Sequence, residues 1–287
     1  MNSPDARKRV IDPKKPKVKL PGGQSYLSVK NIVKEQGLNT ICQSGKCPNL
    51  AECWGNGTAT FMILGNICTR SCRFCSVVTG KPFPPDINEP EKIAQSVRLM
   101  KLKHCVITSV DRDDLKDGGA MHWHNTILEI KRINPLTTIE VLIPDFKFNK
   151  ASLDLIISAK PEIISHNPET VERLTKEVRV QAKYSRSLEV LKYLSDMGVI
   201  TKSGIMVGLG ESIEEILTTM DNLLQVNCRI ITIGQYLQPT SENLQVVKFY
   251  SDEEFEEIKN IGINKGFNVV ESGNLVRSSY HAEKHLI

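Results

Sequence analysis

From residue 60 onward, short runs of β-branched and apolar residues alternate with longer stretches of helical apolar spacing. Residues 61–64, 105–109, 139–142, 163–165, 203–207 and 230–235 read as strands, with 268–270 as a further candidate. Between them the pattern predicts helices near 90–101, 119–133, 150–159, 168–174, 185–197, 211–225 and 252–265. This alternation argues for a parallel sheet with right-handed crossovers. Six βα units fall short of an eight-fold barrel, so the expected fold is α/β, a partial (β/α)6 TIM-like barrel. A doubly wound open sheet is the alternative. An incomplete barrel keeps the rule that ligands gather at the C-terminal ends of the strands.

Polar residues collect at those ends. Thr108, Ser109 and Asp111 follow one strand, Pro144 and Asp145 the next, and His166, Asn167 and Glu169 the third. Gly208-Leu209-Gly210-Glu211 and Gln235 to Thr240 complete one rim. Before residue 60 the pattern changes. Pro4, Pro13, Pro16, Pro21 and Gly22-Gly23 make residues 1–24 extended and then turned. Ser25 is the expected cap of a helix over 26–36, with Leu27, Ile32 and Val33 on its apolar side and Gly37 as its stop.

Charge refines this division. The net charge of +4 hides an N-terminal arm in which residues 1–20 carry seven basic groups against Asp5 and Asp12. That excess of five leaves the remaining chain at −1, which gives little support for a nucleic-acid surface. The arm reads as a solvated tail or as a contact for an acidic protein. No apolar run is long enough to span a bilayer and the N-terminus lacks a secretory core, so a soluble cytoplasmic protein is expected.

Eight cysteines change the picture most. Cys68, Cys72 and Cys75 follow the first strand with the spacing C-x₃-C-x₂-C. Cys42, Cys47 and Cys53 precede it as C-x₄-C-x₅-C, with Pro48 suited to the first turn of a short helix that ends near Cys53. Clustered cysteines in a reducing compartment read as metal ligands more readily than as disulfides. A closed zinc site wants four ligands, and neither cluster has a fourth nearby. Three thiolates on a four-iron cluster would leave one iron open for a ligand. Cys105 and Cys228 read as small buried hydrophobes, and Trp54 and Trp123 as packing residues. Among His104, His122, His124 and His166, only His166 sits at a strand end, where hydrogen bonding is expected rather than ligation.

The motif C-x₃-C-x₂-C after a first strand, with Phe74 before the last cysteine, resembles the radical S-adenosylmethionine (SAM) superfamily. Adding C-x₄-C-x₅-C and the terminal Arg277-Ser278-Ser279-Tyr280, residues 17–282 resemble the lipoyl synthase family. That resemblance implies two 4Fe-4S clusters. Cys68, Cys72 and Cys75 would hold the cluster that binds and reductively cleaves SAM to a 5′-deoxyadenosyl radical. Cys42, Cys47, Cys53 and Ser279 would hold an auxiliary cluster whose sulfur is inserted at C6 and C8 of a protein-bound octanoyl group. Arg277 would favour the deprotonated serine. Thr108, Ser109, Asp111, Asn167, Arg186 and Glu211 are the implied SAM contacts. Implied partners are octanoylated lipoyl-carrier domains or the glycine-cleavage H protein, a ferredoxin or flavodoxin electron donor, and an iron–sulfur cluster carrier. Asn243 stands where the family usually has a histidine.

The expected organisation is a basic arm over 1–24, an extension with the auxiliary motif over 25–59, the barrel over 60–250, and a C-terminal helix and Arg-Ser-Ser-Tyr segment over 251–287. Both extensions would cover the open rim. Another sulfur-inserting radical SAM enzyme and a zinc-stabilised binding module are the competing readings.

Overall fold

The computed structural model describes residues 16–18 and 20–285. Most of the basic arm, including Arg7, Lys8, Arg9, Lys14, Lys15 and Lys19, lies outside the described residues. The strands are β1 (Thr60–Ile63), β2 (Ile67–Cys68), β3 (Val78–Thr79), β4 (His104–Ser109), β5 (Thr138–Leu142), β6 (Ile163–Ser165), β7 (Thr201–Val207), β8 (Ile230–Gln235) and β9 (Val269–Gly273). The helices are α1 (Gln24–Glu35), α2 (Ile41–Ser44), α3 (Leu50–Gly55), α4 (Glu89–Leu99), α5 (Ala120–Ile133), α6 (Lys150–Ser158), α7 (Glu172–Val178), α8 (Tyr184–Asp196), α9 (Ile213–Gln225) and α10 (Asp252–Lys265). Seven strands form one parallel sheet in the order β1-β4-β5-β6-β7-β8-β9, and its two edges do not pair. The expected partial barrel is therefore the observed fold, with the candidate strand near 268–270 realised as β9.

Two-residue periodicity decides what each strand shows to either side. Phe61, Ile63, Cys105, Ile107, Ile139, Val141, Ile205, Val207, Ile231 and Ile233 are buried in the apolar core. Their neighbours Thr60, Met62, Val106, Thr108, Glu140, Leu142, Gly204, Met206 and Thr232 line one central cavity, so the sheet wraps around it. Lys202 follows the inward register of β7. Its Nζ lies 2.7 and 3.0 Å from the two carboxylate oxygens of Glu140, and both side chains are fully buried. Cys105, Cys228, Trp54 and Trp123 are fully buried, as their sequence contexts suggested.

Three local expectations are corrected. Ser25 lies inside α1, whose N-cap position is Gly23 with no side-chain cap. The helix buries Val29 and Val33, with Tyr26 against Trp54 at 5.4 Å, and leaves Leu27 exposed. The helix expected near 168–174 starts at Glu172, because Glu169 has φ 66° and bridges to Ile205 of β7, holding the preceding chain extended. Pro48 precedes α3 and its N-cap Asn49 instead of opening the helix. The capping boxes of Ser212 with Glu215 and Ser251 with Glu254 set the starts of α9 and α10.

Candidate active site

The central cavity has a volume of about 560 Å³. Its lining contains Cys42, Cys47 and Cys53 from the N-terminal extension, Cys68, Cys72 and Cys75 from the loop after β1, and Ser279 from the C-terminal segment. Two thiol triads distant in the folded elements that carry them thus share one chamber. Burial pushes the thiols up, Cys42 and Cys68 to about 11 and Cys53 and Cys72 to about 12. Neighbouring thiols add repulsion within each triad. A crowded, desolvated thiol set of this kind ionises readily only when a metal centre balances the charge. Among the described residues, no three His, Cys, Asp or Glu side chains form a group fit for a single metal ion. A four-iron cluster instead distributes its thiolates over separate irons, and the donor chemistry of each triad fits that demand.

The loop from Cys68 to Cys75 is held by charge. Arg70 is buried and meets three carboxylates, Asp113 at 2.8 Å, Asp145 at 2.6 Å and Asp111 at 3.3 Å. Burial opposes ionisation of Asp145, but Arg70 outweighs it and holds that carboxyl well below the usual range. The other half of the loop is tied by Asn243, whose Nδ2 donates to the carbonyls of Arg73 at 3.1 Å and Cys75 at 2.9 Å. The residue that departs from the family pattern is therefore engaged with the cysteine loop.

The second triad is tied to the end of the chain. Asn49 Nδ2 donates to Leu275 O at 2.6 Å, Tyr280 OH to Glu52 at 3.2 Å, and Thr60 Oγ1 to Ser279 Oγ at 2.8 Å. Arg277 lines the cavity with this triad, and burial lowers its pKa while Cys47 opposes the shift.

Of the residues anticipated to contact SAM, Thr108, Ser109, Asp111 and Asn167 line the cavity. Ser109 Oγ and Asn167 Oδ1 are buried there without a hydrogen-bond partner. Arg186 and Glu211 are not brought to it. Arg186 reaches Asp145 at 3.2 Å, and Glu211 accepts from the Leu209 amide at 2.9 Å and Tyr250 OH at 3.1 Å. Two cavity residues escaped the sequence reading as contacts, Glu169 and Arg179. Arg179 donates to Asn167 O and Ser187 Oγ, with its Nε buried and unpartnered. Its position inside an Arg179-Val180-Gln181 turn, away from any strand end, carries no sequence signal. His166 hydrogen-bonds Ile143 O and Ser187 Oγ, both at 2.9 Å.

Comparison with known proteins fits this chamber. Residues 62–223 match the model of the radical SAM superfamily. The chain is 58% identical to the mitochondrial lipoyl synthase of Nematostella vectensis over 283 residues, which is 96% of this chain and 97% of that protein. It is 58% identical to the lipoyl synthase of Flavobacterium johnsoniae over 281 residues, 96% of this chain and 98% of that one. The chain belongs to the lipoyl synthase family. Its fold is also similar to the crystal structure of Streptococcus suis SuiB bound to S-adenosylmethionine. The TM-score is 0.60 at 12% identity, covering 75% of this chain and 50% of that one.

As a lipoyl synthase family member, the protein is a sulfurtransferase of the radical SAM superfamily and uses SAM and a 4Fe-4S cluster. No helix among the described residues is long and apolar enough to cross a membrane.

Proposed function

We propose that this enzyme inserts two sulfur atoms, at C6 and C8, into an octanoyl group borne on a protein lysine. Cys68, Cys72 and Cys75 would hold the cluster that binds SAM, and Cys42, Cys47, Cys53 and Ser279 an auxiliary cluster. When bound, the first cluster with SAM supplies a radical able to attack an unactivated C–H bond, and the second supplies sulfur. The observation that carries this reading is the common cavity lined by both triads and Ser279.

The chain's own residues have the work of binding and exclusion. Arg179, a cavity-lining cation whose charge acts on Cys72, suits the SAM carboxylate better than Arg186, which is committed to Asp145. Ser109 Oγ and Asn167 Oδ1, buried and unpartnered, offer hydrogen bonds to a polar ligand, and leaving them unsatisfied would cost about 1–3 kcal/mol each. Met62, Val106, Leu142, Ile143 and Met206 supply apolar walls for an alkyl chain. Ser279 must give up its proton to ligate, and Arg277, two residues before it and lining the same cavity, brings positive charge to that side of the chamber.

The substrate would be an octanoylated lipoyl-carrier domain or the glycine-cleavage H protein, docking at the rim. A ferredoxin or flavodoxin would deliver electrons, and an iron–sulfur carrier would rebuild the auxiliary cluster. Eight free cysteines suit a reducing compartment, and we assign the enzyme to the cytoplasm. The test is anaerobic incubation of reconstituted enzyme with SAM, a reductant and an octanoylated carrier peptide, followed by mass analysis. A two-sulfur product is expected. A colourless zinc protein without acid-labile sulfide, or a peptide left unchanged, would overturn the reading.

A further inference from the structure

Beyond β9 the chain crosses from one unpaired edge of the sheet to the other. Leu275 O accepts from Asn49 in the N-terminal extension, Ser278 Oγ from Asn167 at the end of β6 at 2.8 Å, and Ser279 Oγ from Thr60 of β1. This strap thus closes the gap that the open barrel leaves, and it delivers Ser279 to the chamber. Between the first and second of these ties it passes over Gly234 of β8. A Cβ on Gly234 would overlap the Val276 carbonyl oxygen and stand 3.3 Å from Arg277 Nη1. That same Nη1 donates to the Val276 carbonyl at 2.6 Å. Gly234 does not have the positive φ that favours glycine. Space, not conformation, excludes a side chain there.

We propose that Gly234 and Asn49 are the positioning residues of Ser279. Gly234 lets the strap backbone lie directly on β8, and Asn49, itself buried, anchors the carbonyl one residue earlier. Ser279 follows Val276 by only three residues. Lifting the Val276 carbonyl off β8 would therefore strain the ties of Ser278 to Asn167, in the loop after β6, and of Ser279 to Thr60 of β1. The strap's place is set upstream of the serine, and the serine is held where the strap carries it. The consequence for sulfur insertion rests on the proposed role of Ser279 as a ligand. The seating of the strap does not.

Hydrogen–deuterium exchange of residues 275–281, in protein without clusters, tests the seat directly. Gly234→Ala is expected to speed exchange of this segment about tenfold, because its backbone must move off a packed strand. Asn49→Ala is expected to give a smaller rise without crowding β8, and keeps the test open should Gly234→Ala not fold. Ser279→Ala is expected to leave strap exchange unchanged. Unchanged exchange in both Gly234→Ala and Asn49→Ala, or faster exchange in Ser279→Ala alone, would overturn the proposal. In reconstituted enzyme, Gly234→Ala should lower sulfur inserted per 5′-deoxyadenosine formed and alter the electron paramagnetic resonance of the auxiliary cluster. A wild-type enzyme that loads only one cluster would defeat the ligand role of Ser279. It would leave the exchange result, and with it the seat, intact.

Discussion

The two thiol triads solve the same problem by opposite means. Cys68, Cys72 and Cys75 lie within eight residues on one loop, and that loop is braced by Arg70 against carboxylates at the ends of β4 and β5. Cys42, Cys47 and Cys53 are spread over two short helices and the turn between them. Their side of the chamber is completed by residues more than two hundred positions away. A loop closed by a few residues costs little chain entropy, whereas a site made from both ends of the chain is ordered only after the barrel has formed. The local triad is thus positioned by ion pairs at the rim, and the distant one by the fold as a whole.

The largest expected effect separates the two. Cys72→Ala should abolish 5′-deoxyadenosine formation while iron remains at the second triad; retained SAM cleavage would break the division of labour. Next, Ser279→Ala should lower sulfur insertion about a hundredfold, at the upper end of what metal-site neighbours contribute, with a smaller loss of 5′-deoxyadenosine. Equal loss of both products would join the two regions into one. Arg70→Met leaves Asp145, which is 0% exposed, facing Asp111 and Asp113, with Arg186 as its remaining ion-pair partner among the described residues and the Lys147 amide as a donor. The expected cost is about 3–5 kcal/mol in denaturant unfolding, together with poorer iron loading at the first triad only.

A further expected effect is on pH. Burial pushes His166 and His104 down to about 4 and His285 to about 3, from an ordinary value of 6.5. The unfolded chain therefore takes up protons first as the pH falls. Stability is full above about 6.5 and is lost progressively toward about 4, which a melting series on cluster-free protein between those values would register.

Much of this was legible in the chain. Strand positions followed from the short β-branched and apolar runs, and the polar rim from the residues that end them, because both are local in sequence; which strand residues face the cavity was decided by the fold. The six clustered cysteines read as candidate ligands of a soft metal by their spacing. Arg179 was not legible as a cavity residue, since an arginine in a turn looks the same whether it faces solvent or a chamber, whereas Glu169 was placed on the rim without being named as a contact. Arg186 and Glu211 sit away from the cavity lining: Glu211 follows the end of β7 and Arg186 lies in the first turn of α8, and each is held by a nearer partner. Lys202 was equally hidden, because a lysine in a strand is ordinarily on the solvent side, and only Glu140 two strands away makes its burial tolerable.

By itself, the sequence determined the βα rhythm, the two thiol motifs and the family, for these depend on residues near one another along the chain. Only the tertiary structure decided that both triads open onto one cavity. It also decided that a strap seated on Gly234 and tied by Asn49 carries Ser279 to it. Those relations join positions 49, 60, 167, 234 and 279, and no spacing rule spans such distances; packing and side-chain hydrogen bonds between elements bring them together.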